Sequence, residues 1–68
     1  MSTEEIYEYF INCFPAFKEN VSSYESNLNG ASILIHMKNG YYYIFSITME
    51  KDLESNERIV QQAFLTRL

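Results

Sequence analysis

The chain has 68 residues, of which 47% are hydrophobic and 16% aromatic, and it carries one cysteine, one histidine and a net charge of −4. This composition excludes a disordered chain, since segments that stay unfolded are poor in aromatic and branched residues; Cys13 alone cannot form an internal disulfide, and with His36 it makes no four-ligand zinc set of the usual kind. A domain of this size buries only about 60% of the surface its unfolded chain exposes, so association with another chain is the remaining common source of added stability.

The first element is an amphipathic helix. Ser2 or Thr3 caps its start, Ser2 stands three residues before Glu5 as in a capping box, and Glu4, Glu5 and Glu8 favour the positive end of the helix dipole. Ile6, Phe10, Cys13, Phe14 and Phe17 recur at helical spacing on one face. Cys13 on that stripe is expected to be a buried small hydrophobe. Pro15 lacks an N–H and disfavours a helical residue before it, so the helix should end near Asn12 or Cys13, with a short second turn from Pro15.

Two Asn-Gly dipeptides, Asn29-Gly30 and Asn39-Gly40, organise the middle of the chain. Asn-Gly suits a two-residue type I′ turn, which needs φ > 0 at both central positions. The expectation is a three-stranded antiparallel meander: Val21 to Leu28, Ala31 to Lys38 and Tyr41 to Thr48. With both turns tight, Leu28 faces Ala31, Ser26 faces Ile33 and Tyr24 faces Ile35. Across the second turn, Lys38 faces Tyr41, His36 faces Tyr43 and Leu34 faces Phe45. Directly paired residues share a face, so Ile33, Ile35, Tyr42 and Ile44 form one face, which should pack on the helices. Leu34, His36, Tyr41, Tyr43, Phe45 and Ile47 form the other, and a slip of one residue would exchange the two.

The segment MEKDLESNERIVQQAFLTRL is expected to be a closing helix. Asp52 or Ser55 caps it, Leu53, Ile59, Val60, Ala63, Phe64 and Leu68 recur at helical spacing, and Arg67 suits the negative end of the dipole. The fold class is therefore α+β, a single small domain over residues 1–68: N-terminal helix, three-stranded antiparallel meander, C-terminal helix.

If both helices cover one sheet face, the other exposes Tyr41, Tyr43, Phe45 and Ile47, too apolar for a solvated face. Either one helix sits on each face, or that surface meets a partner, where tyrosine is favoured because its ring buries while its hydroxyl finds a hydrogen bond. Tyr41-Tyr42-Tyr43 cannot form one stacking platform, because consecutive strand residues point to opposite faces. His36 has no Asp, Cys or second His at ligand spacing, and no second catalytic group accompanies it, so no enzyme, cofactor or metal is expected. Both glycines lie in the Asn-Gly turns, which leaves none for a phosphate-binding loop. Five scattered lysines and arginines make no phosphate-neutralising stripe, so direct nucleic-acid binding is not expected either. The N-terminus begins acidic, and no apolar run approaches the ~20 residues of a membrane span. A cytoplasmic protein is the expectation.

The arrangement of ILIHMKNGYYYIFSI followed by the acidic stretch MEKDLESNE resembles that of small phage-encoded anti-CRISPR inhibitors, over the strand-turn-strand-helix half of the chain. The resemblance implies that Glu50, Asp52, Glu54 and Glu57 imitate phosphates toward a basic groove, although Lys51 and Arg58 dilute the acid. The expected function is a small non-enzymatic protein that binds and modulates a larger protein, in the manner of a phage or mobile-element inhibitor of a nucleic-acid-binding effector. Tyr41, Tyr43 and Phe45, together with those four acids, are the expected contacts. The alternative is a homodimeric structural or accessory subunit whose aromatic faces pair about a two-fold axis.

Overall fold

A computed structural model describes residues 1–27 and 31–68. In chain order it contains α1 (Thr3–Cys13), a 3-10 helix (Pro15–Asn20) and four strands: β1 (Val21–Ser26), β2 (Ser32–Met37), β3 (Tyr42–Lys51) and β4 (Arg58–Arg67). The strands form one antiparallel sheet in the order β1-β2-β3-β4. The fold is α+β, but two expectations are corrected. The meander has four strands instead of three, and the segment expected to be a C-terminal helix is the fourth strand.

α1 begins as its sequence dictates. The Ser2 hydroxyl accepts the Glu5 N–H at 3.2 Å and the Glu5 carboxylate accepts the Ser2 N–H at 3.1 Å, closing the capping box. The helix ends before Pro15, where the Phe14 N–H still reaches the Phe10 carbonyl at 2.9 Å. Ile6 and Phe10 face inward and are fully buried, whereas Cys13 is exposed, so the reading of Cys13 as a core residue does not hold.

The first hairpin pairs as expected within the described residues: Tyr24 lies opposite Ile35 and Ser26 opposite Ile33, with a bulge between Val21 and Ser23. The expected pairing of Leu28 and the Asn29-Gly30 turn lie outside the described residues.

The second hairpin is slipped by one residue from the expectation. His36 pairs with Tyr42 instead of Tyr43, and Ile33 and Ile35 pair with Phe45 and Tyr43. The turn explains the slip. The Gly40 N–H donates to the Met37 carbonyl at 3.0 Å and the Met37 N–H to the Tyr41 carbonyl at 2.8 Å, which makes Lys38-Asn39-Gly40 a three-residue loop. Gly40 has φ +90° while Asn39 stays out of the left-handed region, so the loop is a turn followed by one left-handed residue and not a type I′ turn. The Asn39 side chain accepts the Tyr41 N–H at 3.1 Å and supports it. One extra loop residue moves every β3 side chain to the other face.

The correction at the C-terminal segment has a local cause and a tertiary one. Asp52 caps a turn, not a helix: its carboxylate accepts the Glu54 N–H and the Ser55 hydroxyl, each at 3.0 Å. Asn56 adopts φ 61° and donates its N–H to the Asp52 carbonyl at 2.8 Å, while the Asp52 N–H reaches the Glu57 carbonyl at 2.7 Å. Asparagine tolerates this left-handed conformation, so the chain reverses. β4 then pairs with β3 from Tyr43–Arg67 to Lys51–Arg58, with a shift at Thr48/Met49. This ladder satisfies β3 backbone groups that a helix would leave unpaired.

The core lies on one face of the sheet. Ile33, Ile35, Phe45 and Ile47 meet Ile6 and Phe10 of α1. The Phe10 and Phe45 ring centroids are 5.2 Å apart, and Phe17 sets its edge against both Phe10 (5.6 Å) and Tyr43 (5.5 Å). Tyr7 stacks flat on Tyr24 at 3.9 Å. α1 packs over β1 and β2, leaving β4 and the far end of the β3–β4 hairpin outside its cover.

Candidate functional site

The exchanged register decides where each expected contact residue lies. Phe45 is fully buried in the core and presents no contact surface, and Tyr43 is half-buried on the same face against Phe17. Tyr41, at the edge of the turn, is 49% exposed and carries the Arg67 guanidinium 4.8 Å above its ring. Of the face expected to pack on the helices, Ile33 and Ile35 are buried, whereas Tyr42 and Ile44 lie on the opposite, open face with Leu34. With no helix among the described residues on it, Leu34 and Ile44 stand half-buried beside Tyr42 (46% exposed) and Phe64 (50% exposed), while Ile59 (50% exposed) lies farther along the same face, opposite Glu50 and beyond the Thr48–Gln62 pair. Ser46, Thr48 and Thr66 share that face through their register positions. The result is an apolar patch around Leu34, Ile44, Tyr42 and Phe64, with Ser46 and Thr48 separating it from Ile59, the character of an interaction surface.

Ile59 and Phe64 were placed by the helical period on a buried helix stripe, and their role on this face was missed. The available signal was the run of strand-favouring residues Ile59, Val60, Phe64 and Thr66.

His36 occupies the margin of the open face near β1. Its Nε2 lies 3.2 Å from a Glu25 carboxylate oxygen, and its ring meets Tyr42 edge-on at 4.7 Å. The three-residue turn puts Tyr42 beside it in place of Tyr43, and Glu25, two positions along β1 from the cross-strand partner Ser23, reaches it diagonally in the expected β1–β2 register. A pair this exposed is worth ~0–1 kcal/mol.

The four expected acids gather at the tip of the β3–β4 hairpin. Glu50 is near the end of β3, Asp52, Glu54 and Glu57 sit in the connecting turn, and Lys51 pairs with Arg58 at its base. Hydrogen bonds from the Glu54 N–H and then the Ser55 hydroxyl hold the Asp52 carboxyl below its ordinary range. Both Asp52 oxygens thus serve the turn, which leaves Glu50, Glu54 and Glu57 as the acids the tip presents. Glu5 is likewise lowered by the Ser2 N–H and hydroxyl, and it serves the helix cap.

Among the described residues no group of three or more His, Cys, Asp or Glu side chains is placed to hold a metal ion. A shallow groove of about 260 Å³ runs along α1, lined by Tyr7, Glu8, Ile11, Asn12 and Lys18. Burial, and then the neighbouring Tyr24, push the Tyr7 hydroxyl above its usual pKa. No helix among the described residues is long and apolar enough to cross a membrane. Comparison with protein-family models, curated proteins and solved structures finds no match to this chain.

Proposed function

We propose that this chain is a small non-enzymatic cytoplasmic protein that binds a larger protein and modulates it through the uncovered side of its sheet. The observation that carries this reading is the open face, with Leu34, Ile44, Tyr42, Ile59 and Phe64 on the side away from α1. In a domain with so little interior, leaving five large apolar side chains outside the core costs stability that burial would otherwise supply at about 25 cal/mol per Å². A partner that covers them recovers it. The acidic tip lies at one end of the same hairpin, and its carboxylates add a steering contact for a basic surface, as an inhibitor of a nucleic-acid-binding effector would need. Of the arrangement likened to anti-CRISPR proteins, the N-terminal helix, the strand-turn-strand and the acidic stretch remain, and its closing helix is a strand.

The experiment is affinity capture from cells that carry the chain, with wild type, Phe64→Asp and Tyr42→Ser as baits. Both positions are about half exposed, so both variants should remain folded, with melting temperatures lowered by less than about 10 °C. Wild type should retain a larger protein that both variants release. Retention of nothing larger, or retention indifferent to both substitutions, refutes the reading.

A further inference from the structure

The sheet has two outer strands, and they are built differently. β1 is six residues long, rich in serine, carries Glu25 and is bulged next to Val21, all devices that discourage edge pairing. β4 is ten residues long, with no proline and no acid from Arg58 to Arg67, and its one irregularity lies near Gln61. From Gln62 onward the strand is regular, and α1 makes its main sheet contacts with β1 and β2, away from this edge.

Ladder alternation identifies the free groups of that edge. The Leu68 N–H donates to the Tyr42 carbonyl at 2.9 Å, which makes 42/68, and by alternation 44/66, 46/64 and 48/62, the hydrogen-bonded pairs of the β3–β4 ladder. The N–H and C=O groups of Ala63, Leu65 and Arg67 therefore point outward, where no strand among the described residues follows β4.

We propose that β4 pairs antiparallel with β4 of a second copy of this chain, with Leu65 opposite Leu65 across the two-fold axis. This inference goes beyond the protein-binding reading and names the occupant of the β4 edge. The register follows from which residues have free groups. Outward residues must face outward residues for both bonds of a pair to form, and only Leu65 on Leu65 matches all three, setting each Ala63 against the other copy's Arg67. Centring on Phe64 matches two, and centring on Ala63 runs Leu65 into the irregularity near Gln61.

The side chains agree with this alignment. Leu65 meets its own copy on the helix side, and small Ala63 leaves room for Arg67 there. On the open face Phe64 lies opposite Thr66, with the two Phe64 rings diagonal and within reach of each other. Charge agrees as well. The paired segment holds no carboxylate, and the acidic tips point away from the axis at opposite ends. Each tip lies roughly ten residues from the centre, about 33 Å at strand rise, so the tips stand far beyond the ~8 Å over which charges act in physiological salt. The net charge of −4 does not oppose the dimer where it forms. Pairing also joins the two open faces into one surface across eight strands.

The test is sedimentation equilibrium over a range of concentrations, joined to disulfide trapping on a Cys13→Ser background. Paired strand residues of this type stand about 5.5 Å apart at Cα, within disulfide range, so Leu65→Cys should oxidise to a covalent dimer. Ala63→Cys should not, because in this register its two copies are roughly 13 Å apart. Ala63→Pro, which deletes an outward N–H and no β3 bond, should be monomeric where wild type is dimeric. A wild type that stays monomeric overturns the proposal, as does trapping equal at positions 63 and 65. A monomer that still retains a larger protein through Phe64 leaves the protein-binding reading standing without the dimer. A register-specific dimer that retains nothing larger keeps the inference and removes the modulator role.

Discussion

Phe45 and Phe64 exchange roles between the expected and observed arrangements, and truncating each separates the two. Phe45→Ala removes a fully buried ring packed 5.2 Å from Phe10, with Tyr9 and Phe14 also in aromatic contact. Buried Phe-to-Ala changes cost about 3–5 kcal/mol, transfer and cavity together. A chain of 68 residues has a total stability of about 3–10 kcal/mol, so Phe45→Ala should remove from about a third to all of it. Phe64→Ala removes a ring that is 50% exposed. Half of the burial value of a phenylalanine is about 1 kcal/mol, which lowers the melting temperature by roughly 4–8 °C in a domain this small. The assay is urea unfolding followed by circular dichroism, at dilutions where the chain is monomeric. A displaced midpoint with an unchanged slope reports stability alone. Phe45→Leu, at about 2 kcal/mol, gives a folded variant should the alanine collapse. A Phe64→Ala cost equal to or above that of Phe45→Leu would refute both the face assignment and the three-residue turn from which it follows.

Gly40→Ala should destabilise by about 1–2 kcal/mol through backbone strain alone, because φ is +90° and a Cβ there meets nothing within 4 Å. Gly40→Asn should recover part of that loss, and thermal melts of the pair check both. Asp52 sets an acid limit on the hairpin tip. Its folded pKa lies below the ordinary 3.8, so its contribution is complete above that value and is lost as pH falls through the lower folded one. Amide exchange at Glu54 should therefore rise in that acidic window in wild type and be pH-independent, and faster throughout, in Asp52→Asn, once the intrinsic exchange rate is divided out. A wild-type tip that loosens already near neutrality contradicts the assignment.

The legible parts of this protein were those in which neighbours in sequence carry the whole interaction. The capping box of Ser2 and Glu5, the stop at Pro15, and the Tyr24–Ile35 register all lie within a few residues or one connection of their cause. The candidate surface was legible only in kind, as an apolar sheet face, because its composition was visible while its membership depended on a single residue of register. Asn39-Gly40 permits both a two-residue and a three-residue loop. Choosing the longer one sends Tyr43, Phe45 and Ile47 toward Phe10 and leaves Leu34, Tyr42 and Ile44 outside.

From the sequence alone came an α+β chain with one N-terminal helix, hairpins in its middle, and no cysteine, histidine or glycine cluster suited to a cofactor. The tertiary structure decided the face and the last element. Leu53, Ile59, Val60, Ala63, Phe64 and Leu68 satisfy a helical period, yet the same residues also suit a strand, and local propensity does not arbitrate between them. The arbiter is β3, a ten-residue strand whose outer backbone groups need partners. Once Asn56 turns the chain at φ 61°, β4 supplies those partners along its length and becomes the free edge of the sheet.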